Sequence, residues 1–166
     1  MTPYRESPER PVLTALLTGG VARDGIARVA CGMPESTRLI DEILTLDHVD
    51  SETTLSVGDV EFHQTKDGPF PNHQFRISVR PQADCAALNY MDDCDPVMPI
   101  ANSHSPTGHL FGVDLVFNGL SGLMFPRSAV IPMTNARSAL LEWLRTRKRP
   151  NCIDWRPYDI HLLRPD

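Results

Sequence analysis

A chain of 166 residues with 41% hydrophobic and 22% charged side chains can build one domain with a real core. It is too short for two full domains and too apolar to be wholly disordered. Its 21 acids outweigh its 16 bases, and the excess is uneven, with bases leading only in residues 137–166. This balance argues against nucleic-acid binding and suits either a basic partner or a plainly solvated acidic face.

No segment approaches the roughly 18–20 apolar residues that cross a bilayer, and residues 1–10 are polar and charged, unlike a signal peptide. Cys31, Cys85, Cys94 and Cys152 form no Cys-x-x-Cys pair. The chain is therefore expected to be cytoplasmic, away from membranes, with four free thiols.

Residues 1–11, rich in proline and charge, read as a loose arm on a single domain spanning 1–166. Val12 to Thr18 is a short helix or strand ended by Gly19-Gly20. Ile26 to Cys31 alternates as a strand, and Pro34 opens a helix in which Leu39, Ile40, Ile43 and Leu46 share one face, with Glu35, Asp41 and Glu42 on the wet side. Leu55 and Val57 alternate before Gly58-Asp59, and Val60 and Phe62 after it, which predicts two short strands about a turn or bulge. Lys66 to Asn72 has loop chemistry. Phe75, Ile77 and Val79 alternate with Arg76, Ser78 and Arg80, predicting a strand with one buried and one wet face. Ala86 to Met91 is the next strand, and Asp92 to His109 is a long polar stretch without periodicity. Val113–Phe117 and Leu120–Phe125 flank Asn118-Gly119, the signature of a hairpin with a type I′ turn.

The segment Ser128 to Trp155 is the best marked. A strand end at Val130-Ile131 passes through Pro132 into a helix whose Met133, Ala136, Leu140, Leu141 and Leu144 form one apolar stripe. Thr134 is the expected N-cap. The cations at 145–149 suit the negative end of the helix dipole, Pro150 stops the helix, and Cys152 to Trp155 is a short strand. Trp143 and Trp155, with Leu140 and Leu144, are expected to fill the core. The sum is an α+β fold: a mostly antiparallel sheet of about five to seven strands with two helices packed on one face.

Chemistry is sparse. His104 and His109 share a loop with no further ligand to name, so no metal is expected. Asp92, Asp93 and Asp95 lack the glycine and terminal glutamate of an EF-hand. Ser121 has no Gly-x-Ser-x-Gly elbow, and Cys94 sits among aspartates that disfavour its thiolate. Neither a Walker A sequence nor Gly-x-Gly-x-x-Gly is present. No catalytic residue and no cofactor is assigned.

From Ala86 onward the order of elements carries a resemblance. Ala87-Leu88-Asn89-Tyr90, a polar loop, a strand pair, an Ile131-Pro132 step into an amphipathic helix and Arg149-Pro150-Asn151-Cys152-Ile153-Asp154-Trp155 together resemble the first-numbered Imm family of immunity proteins from bacterial polymorphic toxin systems. The resemblance implies a cytoplasmic protein that binds and blocks a cognate toxin, typically a nucleic-acid deaminase, in a one-to-one complex and without catalytic residues of its own. The acidic loop offers toxin-facing residues: Asp92, Asp93 and Asp95, with His104 and His109. Two other classes stay open at this point. One is a small enzyme using His104, His109 and Asp92 as acid-base groups; the other is an effector chaperone or adaptor that does not inhibit.

Overall fold

The computed structural model describes residues 10–17, 26–61, 73–159, 161 and 164–165. Most of the expected arm, Gly19-Gly20, Phe62 and the Lys66–Asn72 loop lie outside them. Among the described residues, the strands are β1 (Val12–Leu17), β2 (Ile26–Cys31), β3 (Thr53–Gly58), β4 (His73–Arg80), β5 (Cys85–Asp92), β6 (Ile100–His104), β7 (Val116–Asn118), β8 (Leu123–Met124), β9 (Val130–Pro132), β10 (Asp154–Pro157) and β11 (Arg164–Pro165). The helices are α1 (Gly32–Ile43) and α2 (Met133–Thr146). An eight-stranded sheet runs β10-β6-β5-β4-β3-β1-β2, with β9 on β5 beside β6, and every pairing is antiparallel. The sheet is thus somewhat larger than expected, and a second one, β11-β8-β7, accompanies it.

Both helices lie on one face and share one core with it. Leu13 and Ala15 of β1, Leu55 and Val57 of β3, Phe75 and Ile77 of β4 and Leu88 and Tyr90 of β5 point there, as a period of two dictates. The buried stripe of α2 is Ala136, Ala139, Leu140, Trp143 and Leu144, with Met133 and Leu141 at its margin. Trp155 packs on the same core, 6.0 Å from the Phe75 ring, and its Nε1–H donates to the Pro150 carbonyl at 2.7 Å. Both tryptophans are structural, and Pro150 is buried where α2 hands over to β10.

Several expectations need correction. Thr134 does not cap α2: the helix begins one residue earlier, and the Met133 amide donates to the Asp84 carbonyl at 3.0 Å. Backbone from the β4–β5 turn thus replaces the side-chain cap. Residues 59–61 are not a strand. Nor is the second face of β4 wet, because Leu115, Phe117 and Phe125 pack there on Cys85, Ala87 and Val130. Ser78 is buried, and the Arg76 guanidinium lies 4.5 Å from the centre of the Phe117 ring. The polar stretch 92–109 contains β6, unseen because its Asn102 and Ser103 are buried through hydrogen bonds instead of alternation.

The hairpin exists, but not with a type I′ turn. Its strands are shorter than expected, and its loop runs over residues 119–122, with positive φ at Gly122 and not at Gly119. Gly119 is required for another reason: a Cβ there would lie 2.3 Å from the Asp50 carbonyl oxygen and 2.7 Å from the Ser51 Cβ.

His48 gives the fold a pH dependence. It is fully buried, with Nδ1 3.0 Å from the Leu46 carbonyl and Nε2 2.7 Å from Thr53 Oγ1. The carbonyl requires a proton on Nδ1, and in the neutral ring that burial favours Nε2 then accepts from the threonine hydroxyl. Burial lowers its pKa, only partly offset by the Leu46 carbonyl and by Asp47 and Glu52. The unfolded chain then takes up a proton near the ordinary imidazole value while the folded chain does not. Stability is fully present above that value and falls as pH drops, by at most about 1.4 kcal/mol per pH unit for one proton. Urea midpoints at pH 7.5 and 5.5 check this: the midpoint should fall, and a His48→Gln variant should lose part of the slope.

Candidate functional site

The sheet face turned away from the helices carries two polar rows. In register across the strands, Thr54, Arg76, Asn89, Asn102 and Arg156 form one, and Ser56, Gln74, Met91 and Ile100 the next. The β7–β8 hairpin covers part of this face. Between it and β6 a groove of about 310 Å³ remains, with Gln74, Asn89 and Met91 on its floor, Ile100 on one wall, and Asn118 and Leu123 on the other. Tyr158 closes one side, its ring 5.6 Å from Phe117 and its amide donating to the Ile100 carbonyl at 2.9 Å. Beyond Tyr158 lies a second hollow of about 520 Å³, lined by Asn102, His104, Ser128 and Arg156 among others. Asn89 and Asn102 are nearly buried, and the Asn89 amide nitrogen donates to Asn102 Oδ1 at 2.9 Å.

The acidic loop that follows Met91 does not line the groove: its Asp92 and Asp95 turn to the helix side of the sheet, toward Tyr90 and Arg149. It is a built turn. Asp92 accepts from the Tyr90 hydroxyl at 3.2 Å and the Cys94 amide at 2.9 Å. Asp95 Oδ1 accepts from the amides of Val97 and Met98, its Oδ2 pairs with Arg149, and the backbone donors hold its pKa below the usual value. Asp93 is exposed, with no charged partner among the described residues. The hairpin forms one rim of the groove. Asn118 Oδ1 accepts from the amides of Leu120 and Ser121, and Glu52 Oε2 takes the Gly119 amide at 2.9 Å.

A protein-family model described as Immunity protein Imm1 matches residues 34–157, from the first turn of α1 to the end of β10. The chain belongs to the Imm1 family. It is therefore an immunity protein, and a cognate toxin is its implied partner. No curated protein and no solved structure matches the chain. The Imm1 match includes every residue lining the groove except Tyr158, together with the acidic loop and the hairpin loop.

Within this Imm1 chain, the sequence-predicted site residues do not form one cluster. Asp92 ends β5 and Asp93 and Asp95 follow it in the loop to β6, where the Asp92 amide meets the Pro99 carbonyl just before that strand. His104 ends that strand, roughly 15 Å away at about 3.3 Å per residue. His109 is exposed in the single 3₁₀ turn Gly108–Phe111. The acid-base set Asp92, His104 and His109 is thus not assembled, and among the described residues no three His, Cys, Asp or Glu side chains could hold a metal ion. All four cysteines are free thiols, and Cys152 is pushed up to about 11 by burial and by Glu142. No helix among the described residues is long and apolar enough to cross a membrane.

The charge imbalance along the Imm1 chain is largely an internal pairing scheme. Arg137 binds Asp41 at 2.7 Å, Arg147 binds Asp59 at 2.8 Å, and Arg149 binds Asp95, so the basic final segment meets acids from the earlier part. Arg147 takes this role in a left-handed conformation at the end of α2, φ 54°, with both partners nearly buried. What stays available to a partner is a smaller set, including Asp93 in the acidic loop and Asp50 at the base of the hairpin loop.

Proposed function

We propose that this immunity protein neutralises a nucleic-acid deaminase toxin by occupying its substrate cleft in a one-to-one complex, through the groove, its hairpin rim and the acidic loop that follows β5. Family membership carries the immunity reading. The placement is supported by a concave groove of mixed polar and apolar lining and by exposed carboxylates in the loops near it, Asp93 after Met91 and Asp50 beneath the hairpin loop. A toxin that handles nucleic acid has a basic cleft, and an acidic loop both complements it and accelerates encounter. Asp93 and Asp92 meet the toxin directly, and Asp95 acts through the turn it holds. A partner reaching past Tyr158 also meets His104, with His109 beyond it. The protein acts in the cytoplasm as a single domain and needs no cofactor.

The aspartates then separate by role. Asp93→Lys is expected to slow association with the toxin about tenfold at low salt, to weaken the salt dependence of the rate and to leave Tm unchanged. Asp95→Lys is expected to lower Tm as well, because it removes the Val97 and Met98 acceptor and repels Arg149. Stopped-flow binding and thermal melts of the two variants test this. An Asp93→Lys variant that associates at the wild-type rate would put the interface elsewhere.

A further inference from the structure

Leu120 stands wholly in solvent, at 103% relative exposure. Its loop is nevertheless one of the most firmly braced on the molecule. Asn118 Oδ1 accepts the amides of both Leu120 and Ser121, at 3.0 and 3.2 Å, and Glu52 Oε2 accepts that of Gly119. Arg76 completes the brace: it donates to the Phe117 carbonyl at 3.2 Å, lies over the Phe117 ring, and stands 3.9 Å from Glu52. Gly119 is seated so closely on Asp50 and Ser51 that no side chain fits there. A leucine at this tip adds no packing to the folded state, and a solvated turn has no use for one. Held in a fixed pose, it has already lost the backbone freedom that binding would otherwise cost.

We propose that Leu120 is the apolar anchor with which this chain grips its toxin. Its socket is an apolar pocket bordered by a lysine or arginine. Two observations select that occupant. The base of the loop presents an exposed carboxylate, Asp50, with no charged partner among the described residues, beside Val49, itself 58% exposed. The hairpin that carries the loop also forms one wall of the groove proposed above as the toxin-facing surface, through Asn118 and Leu123, so the anchor stands beside that surface. The inference rests on the functional reading above and deepens it by naming a residue that sets affinity and specificity.

Burying one leucine side chain strengthens a complex by about tenfold to a hundredfold. In calorimetric titration against a catalytically inactive form of the cognate toxin, Leu120→Asp is expected to weaken binding at least about thirtyfold and Leu120→Ser about tenfold, while Leu120→Met stays near wild type. None of these should shift Tm, since the side chain packs on nothing. Asn118→Ala keeps the leucine but frees the loop, and should weaken binding several-fold. Leu120→Asp binding within about twofold of wild type would overturn the anchor. So would a substitution that changes only self-association of this chain, which would make a second copy the occupant. If wild type itself forms no complex, the toxin-binding reading fails with it; a wild-type complex indifferent to Leu120 removes the anchor alone.

Discussion

Replacing Trp143 with alanine is expected to destabilise the fold by about 3–5 kcal/mol. The indole is fully buried between α2 and the sheet, meeting the Phe75 ring edge-on at 4.8 Å and the His73 ring at 5.9 Å. Its Nε1–H donates to His73 Nδ1 at 3.2 Å, which fixes that nitrogen as an acceptor. Truncation removes the largest apolar body in the core, leaves a void the backbone cannot close, and takes a donor from a nearly buried imidazole. Trp143→Phe should cost less, because it retains part of the contact with Phe75 and loses the hydrogen bond. Urea unfolding followed by far-UV circular dichroism measures both. A Trp143→Ala variant within about 1 kcal/mol of wild type would mean that the site collapses freely and that the core is not organised around this ring.

Ser103→Ala should cost about 2–4 kcal/mol, far more than loss of one hydroxyl from a surface would suggest. β6 pairs with β5 at Asn89–Met91, and β9 pairs with the same edge of β5 at Cys85–Ala87. Leu88 falls in the gap between them. The Ser103 hydroxyl fills it, accepting from the Leu88 amide at 2.9 Å and donating to the Ala129 carbonyl at 2.6 Å. Alanine would leave two buried backbone groups without a partner where three strands meet. The Leu88 amide should then exchange with solvent much faster than its β5 neighbours, a local readout that a general loss of stability would not give. Because β9 runs directly into α2 and β6 carries the acidic loop, the same change should also weaken toxin binding.

Periodicity made much of this legible. The apolar stripe of α2, the inward residues of β4 and the α1 face all follow from residues whose burial repeats with their element, whereas β2 is a strand where expected although its burial does not alternate. β6 escaped because Ile100-Ala101-Asn102-Ser103-His104 is interior by hydrogen bonding, and a polar residue satisfied inside the fold looks like a loop residue in one dimension. The start of α2 was misread for a related reason: Thr134 is a good cap, but the donor it would serve depends on where Asp84 lies, fifty residues upstream. The acidic tally also misled in part, since the acids that Arg137, Arg147 and Arg149 hold are distant in sequence.

The candidate site was half visible. Composition singled out Asp92, Asp93 and Asp95, and the structure adds that two of them shape the turn while Asp93 faces outward. The hairpin rim was hidden because Asn118-Gly119 reads as a hairpin turn whatever follows it. The available signal was Leu120 itself, a large apolar residue immediately after the turn pair, where a solvated loop would carry something polar. The Asn89–Asn102 pair could not be foreseen without the register that brings the two strands together.

The most direct test is coexpression of this chain with its cognate toxin in a sensitive cell, followed by purification and mass measurement of whatever complex forms. The account predicts restored growth and a stable one-to-one complex in which the toxin no longer acts on its nucleic acid. Growth arrest with no complex recovered, although both proteins are present and folded, would contradict it.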